Sequence, residues 1–287
     1  MDFTDYLHKH YSPATAALYQ RYLATWFSYM PEAESAGHAD ITRFLGHLRN
    51  RYQNPNTLNI YLHSIKAWYR WLQVTGKRED NPARSVVLRD KSPTGIRLQH
   101  LLSTAELQKL IQTAHNRNHK LSYRNKVLMS LLCHQGLLIG ELVALTINAP
   151  DLAAGTIYIK GTGVTHNREL PLEAGQILLL HHYQTTIHPT LNKAQSNAFF
   201  LSANGRPLSG DDITKQVSRH CRKLLGGRKI TARLIRQSVI SEKLKNGGDT
   251  RVVQVFAGHK CPSTTEQYKQ DDLEQLKAGI LKYHPEG

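Results

Sequence analysis

Three residue types that suit chemistry on phosphate esters follow one another near the end of the chain. Arg236 comes first, then Gly258-His259, then the segment Thr264-Thr265-Glu266-Gln267-Tyr268. An arginine guanidinium offers a fork of donors to phosphate oxygens. A histidine can hold or transfer a proton near neutral pH, and a tyrosine hydroxyl can be a covalent nucleophile. Together they indicate chemistry on a phosphodiester.

The charge of the chain points to a polyanionic partner. The 287 residues include 37 Lys and Arg against 22 Asp and Glu, a formal net charge of +15. A chain this basic most often binds nucleic acid. From Lys215 to Lys245 only Glu242 opposes ten basic residues, so this region is a candidate phosphate-binding surface. We expect its DNA-binding residues to be Lys215, Arg219, Arg222, Lys223, Arg228, Lys229 and Lys243.

Several classes of protein are disfavoured by composition. Cys133, Cys221 and Cys261 are too few and too scattered for a disulfide framework or a zinc site, so a reducing cytoplasm is expected. His181-His182 has no second ligand pair at zinc spacing, so we predict no metal. The sequence has no apolar run long enough to span a membrane and starts without a signal-peptide pattern.

The first third of the chain carries a helical pattern. A short helix around Phe3–Leu7 precedes Ser12-Pro13, which favours a helix start because Ser caps and Pro fits the first turn. Three apolar stripes at three- and four-residue steps then predict three longer helices. Their members are Tyr19, Tyr22, Leu23, Trp26, Phe27 and Met30; Ile41, Phe44, Leu45 and Leu48; and Leu58, Tyr61, Leu62, Ile65, Trp68, Tyr69 and Leu72.

The remainder predicts a second, mixed domain. Ser103-Thr104-Ala105-Glu106 is a capping box at the start of a helix. Residues 156–160 alternate as a strand, Gly161-Thr162-Gly163 turns, and residues 169–172 return, which predicts a hairpin among helices. The fold class is therefore mainly α with a small β-hairpin or sheet (α+β). We expect a helical first domain over residues 1–84, a linker over 85–102, and a second domain with a tail helix over 103–287.

With these motifs in order, the chain resembles the tyrosine recombinases of the phage-integrase and Xer type. Tyr268 follows His259 by nine residues, and His259 follows Arg236 by 23. Both are similar to family spacings. The resemblance also includes Trp68-Tyr69 and Asn81-Pro82-Ala83 in the first domain, and, in the second, Gly136-Leu137 with Glu141-Leu142 and the segment from Arg168 to Leu172.

The resemblance implies a clamp on duplex DNA and site-specific strand exchange, with a DNA-binding domain over residues 1–84 and a catalytic-type domain over 103–287. Tyr268 would attack a phosphodiester, forming a 3′-phosphotyrosyl link and freeing a 5′-hydroxyl. Arg236 would clamp a phosphate oxygen, and His259 would donate a hydrogen bond to the same phosphate. The family needs no cofactor, because cationic side chains stabilise the phosphorane. It also implies homo-oligomers on DNA (dimers or tetramers), and leaves open a partner recombinase.

Three positions depart from the family pattern. The family has arginine where this chain has Leu138, lysine where it has Thr162, and histidine where it has Arg233. A leucine cannot donate to phosphate. As compensation we predict that Lys160 shares a strand face with Thr162, and that Arg233 and Arg236 share a helix face.

Two functions therefore stay open from the sequence. One is a strand-exchange enzyme that uses Tyr268, Arg236, His259, Arg233 and Lys160. The alternative is a catalytically impaired, recombinase-like DNA-binding protein with an accessory or regulatory role. A tail with Leu273, Leu276, Ile280 and Leu281 at helical spacing packs either on a neighbouring protomer or on its own domain.

Overall fold

The computed structural model describes residues 2–90, 100–112 and 118–268. Contacts divide the chain into two compact units, Met1–Thr94 and Gly95–Gly287. The described residues are mostly helical and include one three-stranded antiparallel sheet. The predicted fold class, mainly α with a small sheet, is therefore confirmed. The predicted tail helix lies outside the described residues.

The first unit is a bundle of four helices. They are α1 (Phe3–His10), α2 (Pro13–Tyr29), α3 (His38–Arg51) and α4 (Pro55–Val74). The predicted cap is present, since the Ser12 hydroxyl accepts from the backbone N–H of Thr15 at 3.3 Å. The three predicted apolar stripes supply the core, in which Trp26, Phe44 and Tyr69 are fully buried. Ala83 and Val86, which follow α4, pack against the same core.

Eight α-helices and one π-helical segment are described in the second unit, with a further helical segment at residues 263–268. Its first helix, α5, begins at the predicted capping box. There the Glu106 carboxylate accepts from the Ser103 N–H, and the Ser103 hydroxyl accepts from the Glu106 N–H. A π-helical segment, Tyr183–Ile187, joins α8 to α9. The bounds are α5 (Thr104–Gln112), α6 (His119–Gln135), α7 (Ile139–Ala144), α8 (Ala174–His182), α9 (His188–Leu191), α10 (Gly210–Leu224), α11 (Ala232–Lys245) and α12 (Thr250–Ala257).

The sheet has the order β1 (Pro150–Asp151), β2 (Thr156–Ile159) and β3 (Arg168–Pro171). The predicted hairpin is the β2–β3 pair, with Ile159 opposite Arg168. Alternation along β3 turns Arg168 and Leu170 inward. The connection between the strands, residues 160–167, is longer than the predicted turn, and we call it the hairpin loop.

One predicted placement is wrong. Lys160 and Thr162 do not lie on a common strand face, because β2 ends at Ile159. The backbone turns away there, and the Gly161 N–H donates to the Asn167 side chain at 2.8 Å instead of to a strand partner. Within the described part of the chain, no helix has the length and apolar character that crossing a membrane requires.

Candidate active site

The site begins at a sharp turn between two helices. α6 ends at Gln135 and is capped by Gly136, whose left-handed backbone (φ 59°) suits a residue without a side chain. Leu138 then caps α7, and its N–H donates to Glu141 Oε2 at 2.8 Å. Glu141 therefore points back toward the turn and into the protein, where it is 1% exposed.

A buried ion pair stands beside this turn. Arg168 donates to Glu141 through Nη1 at 2.6 Å and Nη2 at 3.0 Å, a two-pronged geometry. Its Nε donates to the Phe256 carbonyl at 2.8 Å, and Thr165 donates to Glu141 Oε1 at 2.8 Å. Burial raises the pKa of the Glu141 carboxyl, but Arg168 outweighs that effect and holds the pKa below its ordinary value. Glu141 is thus a buried carboxylate.

Arg236 enters the same region from α11. Its Nη1 donates to the Gly136 carbonyl at 2.8 Å and its Nη2 to the Ala257 carbonyl at 2.6 Å. Glu141 Oε2 lies 4.0 Å from Nη1. A guanidinium has five N–H groups, so three remain after these two carbonyl bonds. Burial lowers the pKa of Arg236 and Glu141 opposes that shift, so the carboxylate offsets part of the cost of burying this cation.

His259 follows the end of α12. Gly258 caps that helix in the left-handed region (φ 71°), and the next residue is thereby turned into the site. His259 Nδ1 lies 2.8 Å from the hydroxyl of Thr265, which is fully buried. Burial, followed by the charges of Arg236 and Arg168, lowers the pKa of His259 to about 4. The imidazole is therefore neutral at physiological pH.

Tyr268 is the last described residue and lies next to His259. The two rings are nearly parallel, with centroids 6.5 Å apart. The tyrosine is 7% exposed and packs with Ile240, Val253 and Ala257. Burial raises the pKa of its hydroxyl, while Arg236 and then Arg233 act in the opposite direction. The structure thus brings together Arg236, His259 and Tyr268, as the sequence predicted.

The remaining predicted catalytic residues lie differently. Arg233 is exposed on α11, although its charge still acts on Tyr268. Lys160 is exposed beyond the end of β2. Leu138 offers the site only its backbone N–H. Thr162 bonds within the hairpin loop, with its hydroxyl 3.0 Å from that of Thr165.

The seven predicted DNA-binding residues are all exposed. Lys215, Arg219 and Arg222 recur along one face of α10, opposite its buried residues. Arg228 is ion-paired to Glu106 at 2.6 Å, and the Lys243 ammonium lies 4.3 Å from the centre of the Phe256 ring. These two side chains already have protein partners.

Sequence reasoning missed Glu141, Arg168, Thr165 and Thr265 as site residues. Their signal was weak, because nothing in the sequence pairs a glutamate with an arginine 27 positions later.

Sequence reasoning also missed a groove of about 480 Å³ in the first unit. That groove is lined by three cations and their polar neighbours, including His63, Lys66, Arg70, Arg84, Tyr11 and Tyr19. No cluster of His, Cys, Asp or Glu able to hold a metal occurs in residues 2–90, 100–112 and 118–268.

Comparison with known proteins decides the family. A sequence model of the phage integrase family matches residues 100–275, and one of the phage integrase N-terminal SAM-like domain matches residues 1–88. The chain belongs to the phage integrase family. The predicted resemblance to tyrosine recombinases is thereby confirmed, with a two-domain family architecture.

Individual relatives agree with this family. The chain is 28% identical to a tyrosine recombinase XerD of Staphylococcus aureus, covering 97% of this chain and 95% of that protein. It is 26% identical to a tyrosine recombinase XerC of Alcanivorax borkumensis, over 96% and 89% of the two chains. Its fold matches a XerH site-specific recombinase bound to a palindromic difH substrate, with a TM-score of 0.73, 21% identity, and coverage of 92% and 78%.

Proposed function

We propose that this integrase-family chain is a site-specific DNA recombinase that works through a 3′-phosphotyrosyl intermediate. The observation that carries the proposal is the convergence of Arg236, His259 and Tyr268 in one site of a phage integrase domain. Duplex DNA is its substrate, and the reaction class is breaking and rejoining of phosphodiester bonds.

Each of the three residues has a task that its surroundings support. Arg236, fixed by two carbonyls, directs its remaining N–H groups at a non-bridging phosphate oxygen. His259 donates Nε2–H to the same phosphate. A neutral imidazole carries its proton on one nitrogen, so Nε2 donates in the tautomer that leaves Nδ1 as an acceptor. The Thr265 hydroxyl lies 2.8 Å from Nδ1 and favours that tautomer when it donates to it. Tyr268 attacks the phosphorus after its ring leaves the apolar cluster in which it packs.

A second candidate, a DNA-binding accessory protein without catalysis, rests on one observation. At position 138 a leucine stands where the family has an arginine, and the structure gives that position only a backbone donor. Loss of one preorganised donor typically slows a reaction by about 10²–10³-fold. Such a loss leaves a slow enzyme, which is why we favour the first candidate.

A nicked suicide duplex separates the two candidates. The full chain first enriches its own binding sequence from a pool of random duplexes. Nicked versions of that duplex then trap any covalent adduct, because the short cleaved strand diffuses away. The recombinase predicts an adduct that is absent in Tyr268→Phe, and a faster adduct in Leu138→Arg. Salt-sensitive duplex binding with no adduct in the parent protein or in Leu138→Arg would establish the accessory protein instead.

Partners follow from the same proposal. Relatives have been solved as a XerH complex with difH and as a lambda integrase tetramer on a Holliday junction. We infer that this chain likewise acts on duplex DNA as a homo-oligomer, a dimer or tetramer, with a partner recombinase as an open extension. We place the protein in the cytoplasm, and we keep the domain bounds 1–84 and 103–287 with the linker 85–102.

A further inference from the structure

The hairpin loop is fastened to the segment that carries His259. The His166 N–H donates to the Gly258 carbonyl at 2.8 Å, and Thr165 and His259 form an isolated antiparallel bridge. The Lys260 ammonium extends across and donates to the Gly163 carbonyl at 3.1 Å. The Lys260 ammonium is therefore held at the tip of the hairpin loop, at the residue that follows Thr162.

Strand cleavage requires a proton at the leaving oxygen. The attack of Tyr268 expels the 5′-oxygen of the next nucleotide, and an alkoxide is a poor leaving group unless a general acid protonates it. Thr162 occupies the family's lysine position, and a neutral hydroxyl is a weak acid in that role. Arg236 cannot serve, because a guanidinium does not give up its proton in proteins.

We propose that Lys260 is the general acid that protonates the leaving 5′-oxygen. The inference rests on the proposed recombinase function and adds a catalytic residue to it. The lysine reaches the hairpin tip from the side of His259 instead of from the hairpin strand. Its side chain is exposed, and among the described residues the carbonyl of Gly163 is the one group that competes with DNA for its three N–H donors.

The step balances in atoms and charge. The Tyr268 oxygen forms a bond to phosphorus, and its proton leaves to solvent. The bond between phosphorus and O5′ breaks, and O5′ takes a proton from the Lys260 ammonium, which becomes a neutral amine. In the reverse step the amine removes the proton from the attacking 5′-hydroxyl and O5′ bonds to phosphorus. The phosphotyrosyl bond then breaks, and the Tyr268 oxygen takes a proton back from solvent.

Lys160, the sequence-based candidate for compensation, is less suited to the task. It lies immediately after β2, and among the described residues it has no hydrogen bond or ion pair that would hold its ammonium in place. Lys260 has such a bond at the loop tip. An acid must lie within hydrogen-bond reach of the leaving oxygen, and a held ammonium meets that condition better than a free one.

A sulfur substitution at the scissile position tests the acid directly. The selected suicide duplex is made in two forms, one with the normal 5′-oxygen and one with a 5′-bridging sulfur. A thiolate leaves without protonation, so the sulfur duplex does not need the acid. On the oxygen duplex we expect Lys260→Met to form adduct about 10²–10⁴-fold more slowly than the parent, and on the sulfur duplex at the parental rate.

Three further variants complete the design. Lys260→Arg keeps the charge and a donor to Gly163 but cannot give up a proton, so it is expected to behave like Lys260→Met. Lys193→Met removes an exposed lysine in the turn after α9 and is expected to match the parent on both duplexes. Lys160→Met is expected to lack the sulfur rescue that marks a general acid.

Each outcome either supports or contradicts the assignment of Lys260 as the general acid. Loss on the oxygen duplex with recovery on sulfur, in both Lys260 variants, supports the assignment. Three results would overturn the assignment without contradicting the recombinase function. They are an equal loss of adduct formation on both duplexes in the Lys260 variants, full activity of Lys260→Arg, and recovery on the sulfur duplex in Lys160→Met instead. A parent that forms no adduct on either duplex would refute the proposed function and the inference with it.

Discussion

At the scale of single residues, the Glu141 carboxylate balances the cations of the site. It is bonded twice to Arg168 and lies 4.0 Å from Arg236, all three side chains being buried. Removing one partner of a buried ion pair leaves an uncompensated charge and costs about 3–5 kcal/mol. The carboxylate is therefore required to compensate the buried charges of Arg168 and Arg236.

We accordingly expect Glu141→Ala to lower the free energy of unfolding by about 3–5 kcal/mol, as measured by urea denaturation. The matched control is Arg206→Ala, which breaks an exposed pair with Asp212 at 3.4 Å. Such a pair contributes about 0–1 kcal/mol. Equal losses in the two variants would show that Glu141 does not balance buried charge.

The second prediction at this scale concerns pH. The folded protein holds the pKa of His259 at about 4, below its ordinary value of 6.5. Because the unfolded chain binds this proton more readily than the folded protein does, acid favours unfolding. The free energy of unfolding therefore has its full value above the unfolded pKa of the histidine and decreases as the pH falls toward the folded pKa. Stability should therefore be lost between pH 6.5 and about pH 4.

The free energy of unfolding is measured across that window in the parent and in His259→Gln. The parent should lose more stability on acidification than the variant, which has no titrating group at this position. Parallel pH profiles would mean that His259 is not held neutral by its surroundings.

At the scale of elements, the cap of α12 sets the position of His259. A Cβ added at Gly258 would lie 2.8 Å from Arg168 Nη1, and the backbone there has φ +71°. Arg168 is fixed by Glu141 and the Phe256 carbonyl, so a substitution must displace this buried pair. Position 258 therefore requires glycine, and a substitution there would disturb Arg168, its partner Glu141 and the placement of His259.

Gly258→Ala is therefore expected to cost more stability than Gly247→Ala. Gly247 also has positive φ (+82°) but open space around its Cβ position, so its substitution costs only the left-handed strain of about 1–2 kcal/mol. Thermal unfolding of both variants measures the difference. If Gly247→Ala proved as harmful, the close approach to Arg168 would have no energetic weight.

The elements also show how far the sequence alone leads. The stripes of the first unit and the capping box at Ser103 predicted helices that are present, because apolar spacing and caps are local signals. The two-residue strand β1 was not predicted, since it is too short to show a period. The eight-residue helix α12 was not predicted either. The pairing of Arg168 with Glu141 and the burial of Tyr268 depend on tertiary packing and could not be read from spacing. Lys160 was misplaced because the end of β2 is set by the hairpin loop.

At the scale of the whole molecule, positive charge governs binding to DNA. Each phosphate neutralised by a lysine or arginine contributes about 0.9 to the slope of log affinity against log salt. Arg222 and Lys223 are exposed on α10, whereas Arg228 is paired with Glu106 at 2.6 Å. The two sets of cations should therefore differ in their effect on this slope.

Replacing Arg222 and Lys223 by glutamine should lower the slope by about 2 and weaken binding to all duplexes alike. Arg228→Gln should change the slope by less than one of these residues does. Fluorescence anisotropy over a salt series measures both. A larger effect of Arg228 than of the α10 pair would assign the phosphate contacts to the loop after α10.

The most direct test of the recombinase locates the covalent bond. The parent is incubated with the nicked suicide duplex, the adduct is digested with protease and nuclease, and the modified peptide is sequenced by mass spectrometry. We predict that a 3′-phosphonucleotide is attached to Tyr268 and to no other residue. Attachment at a different residue, or tight duplex binding by the parent with no attachment at all, would contradict the assignment of Tyr268 as the nucleophile.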